Sequence, residues 1–139
     1  MSSRSKSRKR ALDALYASEI RNSDATELLQ DTAAGVADRQ NQGAIFDYAE
    51  AIVIGVTRNL AQIDNDLRQI SDGWSLERMP NIDRSILRLG AWEILFNEDV
   101  PNEVAIAEAV TLASEYSTDD SPKFVNGVLA RLAKGTQAL

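Results

Sequence analysis

The chain has 139 residues, 44% hydrophobic and 26% charged, a balance that supports one globular domain with a sizeable core. It contains no cysteine and no histidine, which excludes disulfides, thiolate nucleophiles, imidazole zinc sites and the serine–histidine triad. Five of the 15 Lys and Arg residues (Arg4, Lys6, Arg8, Lys9 and Arg10) stand in the first ten positions, whereas all 21 Asp and Glu lie beyond them.

A basic head on an acidic body predicts an electrostatic hook for polyanions; a flexible solubilising tail over residues 1–7 is the plainer reading of the same charges. No stretch approaches the ~20 apolar residues of a membrane span. Asp13, Glu19 and Arg21 interrupt any signal-peptide core, so a cytoplasmic location without membrane association is expected. No phosphate-cradling loop or GxGxxG fingerprint occurs. A binding protein without cofactor or metal is therefore expected, rather than an enzyme.

Taken in order, Leu12, Leu15, Tyr16 and Ile20 fall at helical spacing and predict a helix from Arg8 to about Arg21. Asn22-Ser23-Asp24 ends it and offers caps for an alanine-rich helix over 25–38, with Leu28, Leu29, Ala33 and Val36 inward. Residues 39–43 form a polar connection. From Ile45 to Ile70 an apolar stripe steps by three or four; its length predicts a break near Asn59. Asp72-Gly73 closes that stretch, and residues 74–81 read as a short turn pinned by Trp74, Leu76 and Met79.

Ile82 to Phe96 gives the next helix, in which Trp92 and Phe96 belong to the core. Pro101-Asn102-Glu103 starts a helix reaching Tyr116, and Ser121-Pro122 reads as an N-cap followed by proline in the first turn. Val125, Val128, Leu129 and Leu132 form the inner face of that last helix. The fold expected is all-α, a single domain over 1–139: a bundle of about seven helices with a basic N-terminal arm.

Phe124 lies about a quarter turn from the centre of the last helix's buried stripe, with Arg131 on nearly the same flank. It is either an edge-of-core ring or a stacking platform for single-stranded nucleic acid, which needs aromatic faces beside cations. Tyr16 is open to the same two readings. Asp119-Asp120-Ser121 suits the positive end of a helix and lacks the third carboxylate of a metal site. Asp64/Asp66 and Glu98/Asp99 read as solvated surface.

Four segments carry a resemblance. They are Arg8-Lys9-Arg10-Ala11-Leu12-Asp13-Ala14-Leu15-Tyr16, Ile82-Asp83-Arg84-Ser85-Ile86-Leu87-Arg88, the run Asn102–Ala113 (NEVAIAEAVTLA), and Ser121-Pro122-Lys123-Phe124-Val125-Asn126-Gly127-Val128-Leu129. In this order they resemble the transcription antitermination factor NusB family, "KFVNGVL" being the most specific, with features of its actinobacterial branch. The resemblance implies a seven-helix protein that binds the boxA element of ribosomal RNA leader transcripts together with NusE. NusE is a small-subunit ribosomal protein, and the pair helps RNA polymerase resist termination. It also implies an RNA surface on the arm and first helix (Arg4, Lys6, Arg8, Lys9, Arg10, Tyr16) and on Asp120, Ser121, Lys123 and Phe124. The position of Asp83 belongs to the implied NusE-facing surface.

Three residues depart from the family pattern. Asp13 stands where Gln is common and sets a negative charge near the RNA face; Ala107 replaces Asn, and Pro122 a polar or small residue. A helical adaptor that binds protein without RNA affinity is the alternative function. Self-association is expected to be absent, or limited to a weak homodimer that RNA dissociates.

Overall fold

The computed structural model describes residues 2–36, 42–71 and 75–137. Within them lie α1 (Ser3–Arg21), α2 (Ala25–Gly35), α3 (Gln42–Arg58), α4 (Leu60–Ile70), α5 (Asn81–Phe96), α6 (Asn102–Tyr116) and α7 (Ser121–Gln137), with a 3-10 turn at Leu76–Arg78 and no strand. The expected all-α bundle is thus the fold the chain adopts.

α1 begins earlier than expected. Ser2 caps it, its hydroxyl accepting the Ser5 N–H at 3.0 Å. The basic head is therefore helix from Ser3 onward, where a flexible arm was expected. The inner face of α1 is also rotated from the expected one: Ser7, Arg8, Ala11, Leu12 and Ala14 are buried, whereas Tyr16 and Ile20 are 39% and 55% exposed. Asn22 ends α1 in the left-handed region (φ 52°), a conformation asparagine tolerates better than most residues. Asp24 then caps α2, accepting the Thr26 and Glu27 N–H groups at 2.8 and 3.2 Å. α2 stops at Gly35, short of the expected 38; the connection at 39–41 and Trp74 lie outside the described residues.

The break at Asn59 is real, and its cause is local. Both the backbone N–H and the side-chain amide of Asn59 donate to the Gly55 carbonyl, at 3.1 and 2.8 Å. The side chain thus doubles the closing bond of α3, and α4 starts afresh at Leu60.

α5 occupies the middle. It packs against α1 and α3 on one side, α6 and α7 on another, and α4, which also reaches α7. Its apolar residues Ile86, Leu87, Leu89 and Ala91 are inaccessible to solvent, and Trp92 nearly so. Trp92 lies so close over Gly55 that a Cβ there would stand 2.0 Å from its Nε1, so glycine is required for α3 and α5 to approach. Phe96 packs at the edge of the core, as expected. Asp64 is a correction: it is buried, not solvated, and accepts two bonds from Arg88, each 2.9 Å. Among the described residues no helix is long and apolar enough to cross a membrane.

Candidate nucleic-acid interface

On α1 the positions 6, 9, 13 and 16 step by three or four, so Lys6, Lys9, Asp13 and Tyr16 share one outward face. Lys9 forms an ion pair with Glu115 of α6 (2.9 Å) and lies 5.8 Å from the Tyr116 ring. The Glu115 hydrogen bond raises the Lys9 pKa against partial desolvation. Arg10 covers Phe46 at 5.4 Å, and Arg4 covers Tyr48 at 4.5 Å. Lys6 is exposed and makes no ion pair among the described residues. Desolvation raises the Asp13 carboxyl pKa, with the charges of Arg10 and Lys9 pulling the other way.

Arg8 points the opposite way. Only 2% of it is exposed, so it cannot serve as the surface RNA contact that the sequence suggested. Its Nε donates to both oxygens of Glu93 at 2.9 and 3.1 Å, and its other guanidinium edge meets Glu108 at 3.3 Å. Glu93, fully buried, also accepts the Tyr48 hydroxyl, whose oxygen in turn accepts from Asn97 Nδ2 at 3.0 Å. Ser5 donates to Glu108 at 2.6 Å. Burial works against the Arg8 charge, but the hydrogen bond and charge of Glu93, with Glu108, outweigh it and raise the pKa. Burial first, then the bond to Glu93, push the Tyr48 hydroxyl well above its ordinary value. One signal in the sequence pointed here: Glu93 falls within an apolar run, and a carboxylate so placed needs a cation.

At the other end of α5, Asp83, which the resemblance set on the NusE-facing surface, is likewise buried. Its carboxylate accepts the Ser117 hydroxyl and the Ser121 hydroxyl, the latter at 3.0 Å. Ser121 is 2% exposed and also bonds Thr118 and Ser117 at 2.9 Å, so it closes the α6–α7 turn instead of capping α7 or meeting RNA. The first helical bond of α7 runs from the Phe124 N–H to the Asp120 carbonyl at 3.2 Å, which makes Asp120 the capping position. Asp120 and Lys123 are exposed, and Phe124 is partly buried against the core edge.

These contacts set the geometry. α1 runs alongside α6, with Ser5 and Arg8 at Glu108 and Lys9 at Glu115. Further along α1, Glu19 pairs with Arg84, the residue after Asp83. The Tyr16 turn therefore lies towards the junction of α5, α6 and α7, where Lys123 and Phe124 begin the last helix. Arg131, expected on the flank of Phe124, donates to the Gly127 carbonyl of its own helix at 3.4 Å. Tyr116, 45% exposed, is an aromatic of this face that was not among the expected contacts; its phase sets it on the stripe of buried Ala109 and Leu112, and its place as the last residue of α6 leaves it open.

The profile described as "NusB family" matches residues 5–134. The transcription antitermination protein NusB of Nocardioides sp., an actinobacterium, is 46% identical over 139 residues, covering 100% of this chain and 99% of the relative. The solved T. maritima NusB superposes with a TM-score of 0.84 at 36% identity, covering 94% of this chain and 90% of that one. A chain from a crystal structure of antitermination factors NusB and NusE in complex with dsRNA superposes with a TM-score of 0.84 at 26% identity, over 96% and 97% of the two chains. In sequence and in helical architecture, over nearly its whole length, this chain belongs to the NusB family.

Proposed function

We propose that this protein is an RNA-binding transcription antitermination factor. With NusE it recognises boxA-type single-stranded RNA in ribosomal RNA leader transcripts, and it helps the RNA polymerase elongation complex resist termination. It acts as a binding factor, not an enzyme, and works in the cytoplasm, where transcripts emerge. The observation that carries the reading is that Lys6, Lys9, Arg10 and Tyr116 line one recess, on the α1 face that also carries exposed Tyr16. Cations answer phosphates and rings answer bases, the two needs of a single strand. The solved NusB–NusE assembly with dsRNA supports the choice of partners.

Arg4, Lys6, Lys9, Arg10, Tyr16, Asp120, Lys123 and Phe124 form the proposed RNA surface. Arg8 and Ser121 act behind it, one holding α1 and the other holding the start of α7. Asp83 shapes the ground under any NusE contact without providing one. NusE, if basic, is drawn by the acidic body and extends the positive groove.

The test is filter binding of boxA RNA with and without NusE. Phe124→Ala is expected to lower affinity by ~1–3 kcal/mol, and NusE is expected to raise affinity and sequence preference. Equal binding by wild type and a Lys6→Ala/Phe124→Ala variant would overturn the surface; a flat salt dependence would favour a protein adaptor. Exposed Tyr16 and Tyr116 on this face imply that any dimer formed through it competes with RNA. Sedimentation with and without RNA reads that directly.

A further inference from the structure

Between the first three turns of α1, the start of α3 and the end of α6 lies a recess of about 270 Å³, lined by Lys6, Lys9, Arg10, Asp13, Gln42, Ile45 and Tyr116. It is slightly below the ~300 Å³ at which small-molecule pockets begin, the scale of a single base. It opens on the same α1 face as Tyr16, so it is continuous with the proposed RNA surface, and any role for it rests on that surface binding RNA.

Two acceptors in this recess lack donors. Gln42 Oε1 is shielded from solvent and has no hydrogen-bond partner. A shielded amide oxygen without a donor is a costly state that a ligand N–H relieves. Asp13 lines the same recess and makes no hydrogen bond or ion pair among the described residues; Arg10 and Lys9 act on its carboxylate through charge alone. Around these acceptors stand Lys6 and Arg10 for a phosphate, Ile45 for an apolar floor, and Tyr116 for a ring face. Lys9 is already paired with Glu115, which keeps it at the rim.

We propose that this recess takes up one guanine base of the bound RNA, with the Asp13 carboxylate and Gln42 Oε1 accepting from its N1–H and N2 amine. Guanine is the base whose Watson–Crick edge carries adjacent ring and exocyclic donors towards a carboxylate. Uracil offers one donor and no amine, and adenine sets an acceptor at N1, which meets the carboxylate unfavourably. The base stacks at Tyr116, and its phosphate lies by Lys6 and Arg10. Asp13, the charge that departs from the usual Gln, thereby becomes a reader of sequence instead of an obstacle.

The experiment uses the full chain and fluorescently labelled oligouridines of equal length with one central guanine, inosine, adenine or uracil. Guanine is expected to bind about tenfold tighter than uracil or adenine, the discrimination of one good paired contact, with inosine between because it lacks the N2 amine. Asp13→Asn and Gln42→Ala are each expected to abolish this preference while leaving oligouridine binding and helix content unchanged. Phe124→Ala, outside the recess, is expected to weaken all four RNAs by the same factor. Equal binding of all four RNAs, a preference for adenine, or a guanine preference that survives both Asp13→Asn and Gln42→Ala overturns the recess and leaves the RNA surface standing. Failure of every oligonucleotide to bind overturns both.

Discussion

Asp83 and Glu93 sit on the same helix about 15 Å apart along its axis, both buried, and they solve the same problem with different chemistry. Glu93 takes a guanidinium, a phenol and, through Tyr48, an amide. Asp83 takes two serine hydroxyls. The first end anchors a highly charged helix and needs a full ion pair; the second anchors a tight turn and needs only neutral donors. A buried ion pair carries a heavy desolvation cost, and removing one partner leaves the other charge stranded. A carboxylate bonded by hydroxyls carries one charge, and losing it strands only dipoles. The two ends should therefore fail by different amounts and affect RNA differently.

The largest effect is expected at Glu93. Glu93→Ala leaves buried Arg8 with only its Glu108 contact and the Tyr48 hydroxyl without its acceptor, and should lower stability by about 3–5 kcal/mol, measured by urea denaturation with the helical signal. A loss below that of Asp83→Ala would reverse the ranking of the two ends. Asp83→Ala comes next, at about 1–3 kcal/mol for unsatisfied hydroxyls. Its signature lies in binding, since loosening the α6–α7 turn should weaken RNA through Lys123 and Phe124 more than through Lys6, as seen in a double-mutant cycle with Phe124→Ala.

The ionic end also has a pH signature. Tyr48 titrates above the ordinary value of 10.0 because burial and Glu93 favour its neutral form. Its contribution is complete below pH 10 and is lost as pH rises through the raised folded value. Stability measured against alkaline pH should fall more steeply in the wild type than in Tyr48→Phe, and parallel curves would remove Tyr48 from the anchor. The smallest effect belongs to the surface. Lys123→Ala should leave stability unchanged and reduce the salt slope of RNA binding by about one.

The legibility of each residue in the sequence depended on how near its partners lie along the chain. Helical periodicity marked every helix, and the proline before α6 and the asparagine between α3 and α4 marked their ends, because these are local effects. Phe124 kept the boundary position its phase gave it. Asp64 read as solvated because its partner Arg88 lies on another helix. Arg8, Asp83 and Ser121 are buried for a similar reason, each answering a side chain distant in the sequence. Ser5, Arg8, Leu12, Leu15 and Glu19 do step by three or four. The inward stripe of α1 was present in the sequence, disguised by the charges that it buries.

The Arg8–Glu93 bond spans 85 positions and the Ser5–Glu108 bond 103. The buried side of α1 is consequently completed only once α5 and α6 have been made, since closing so large a loop precedes any gain from it. Until α5 and α6 have emerged, Arg8 stays charged and solvated among its basic neighbours, and the two faces of α1 are electrostatically alike. α1 can settle earlier on α2 and α3, where Ser7 donates to the Ile45 carbonyl; the burial of Arg8 is the late event, and it is the step that sorts one run of cations into those that hold the fold and those left facing outward.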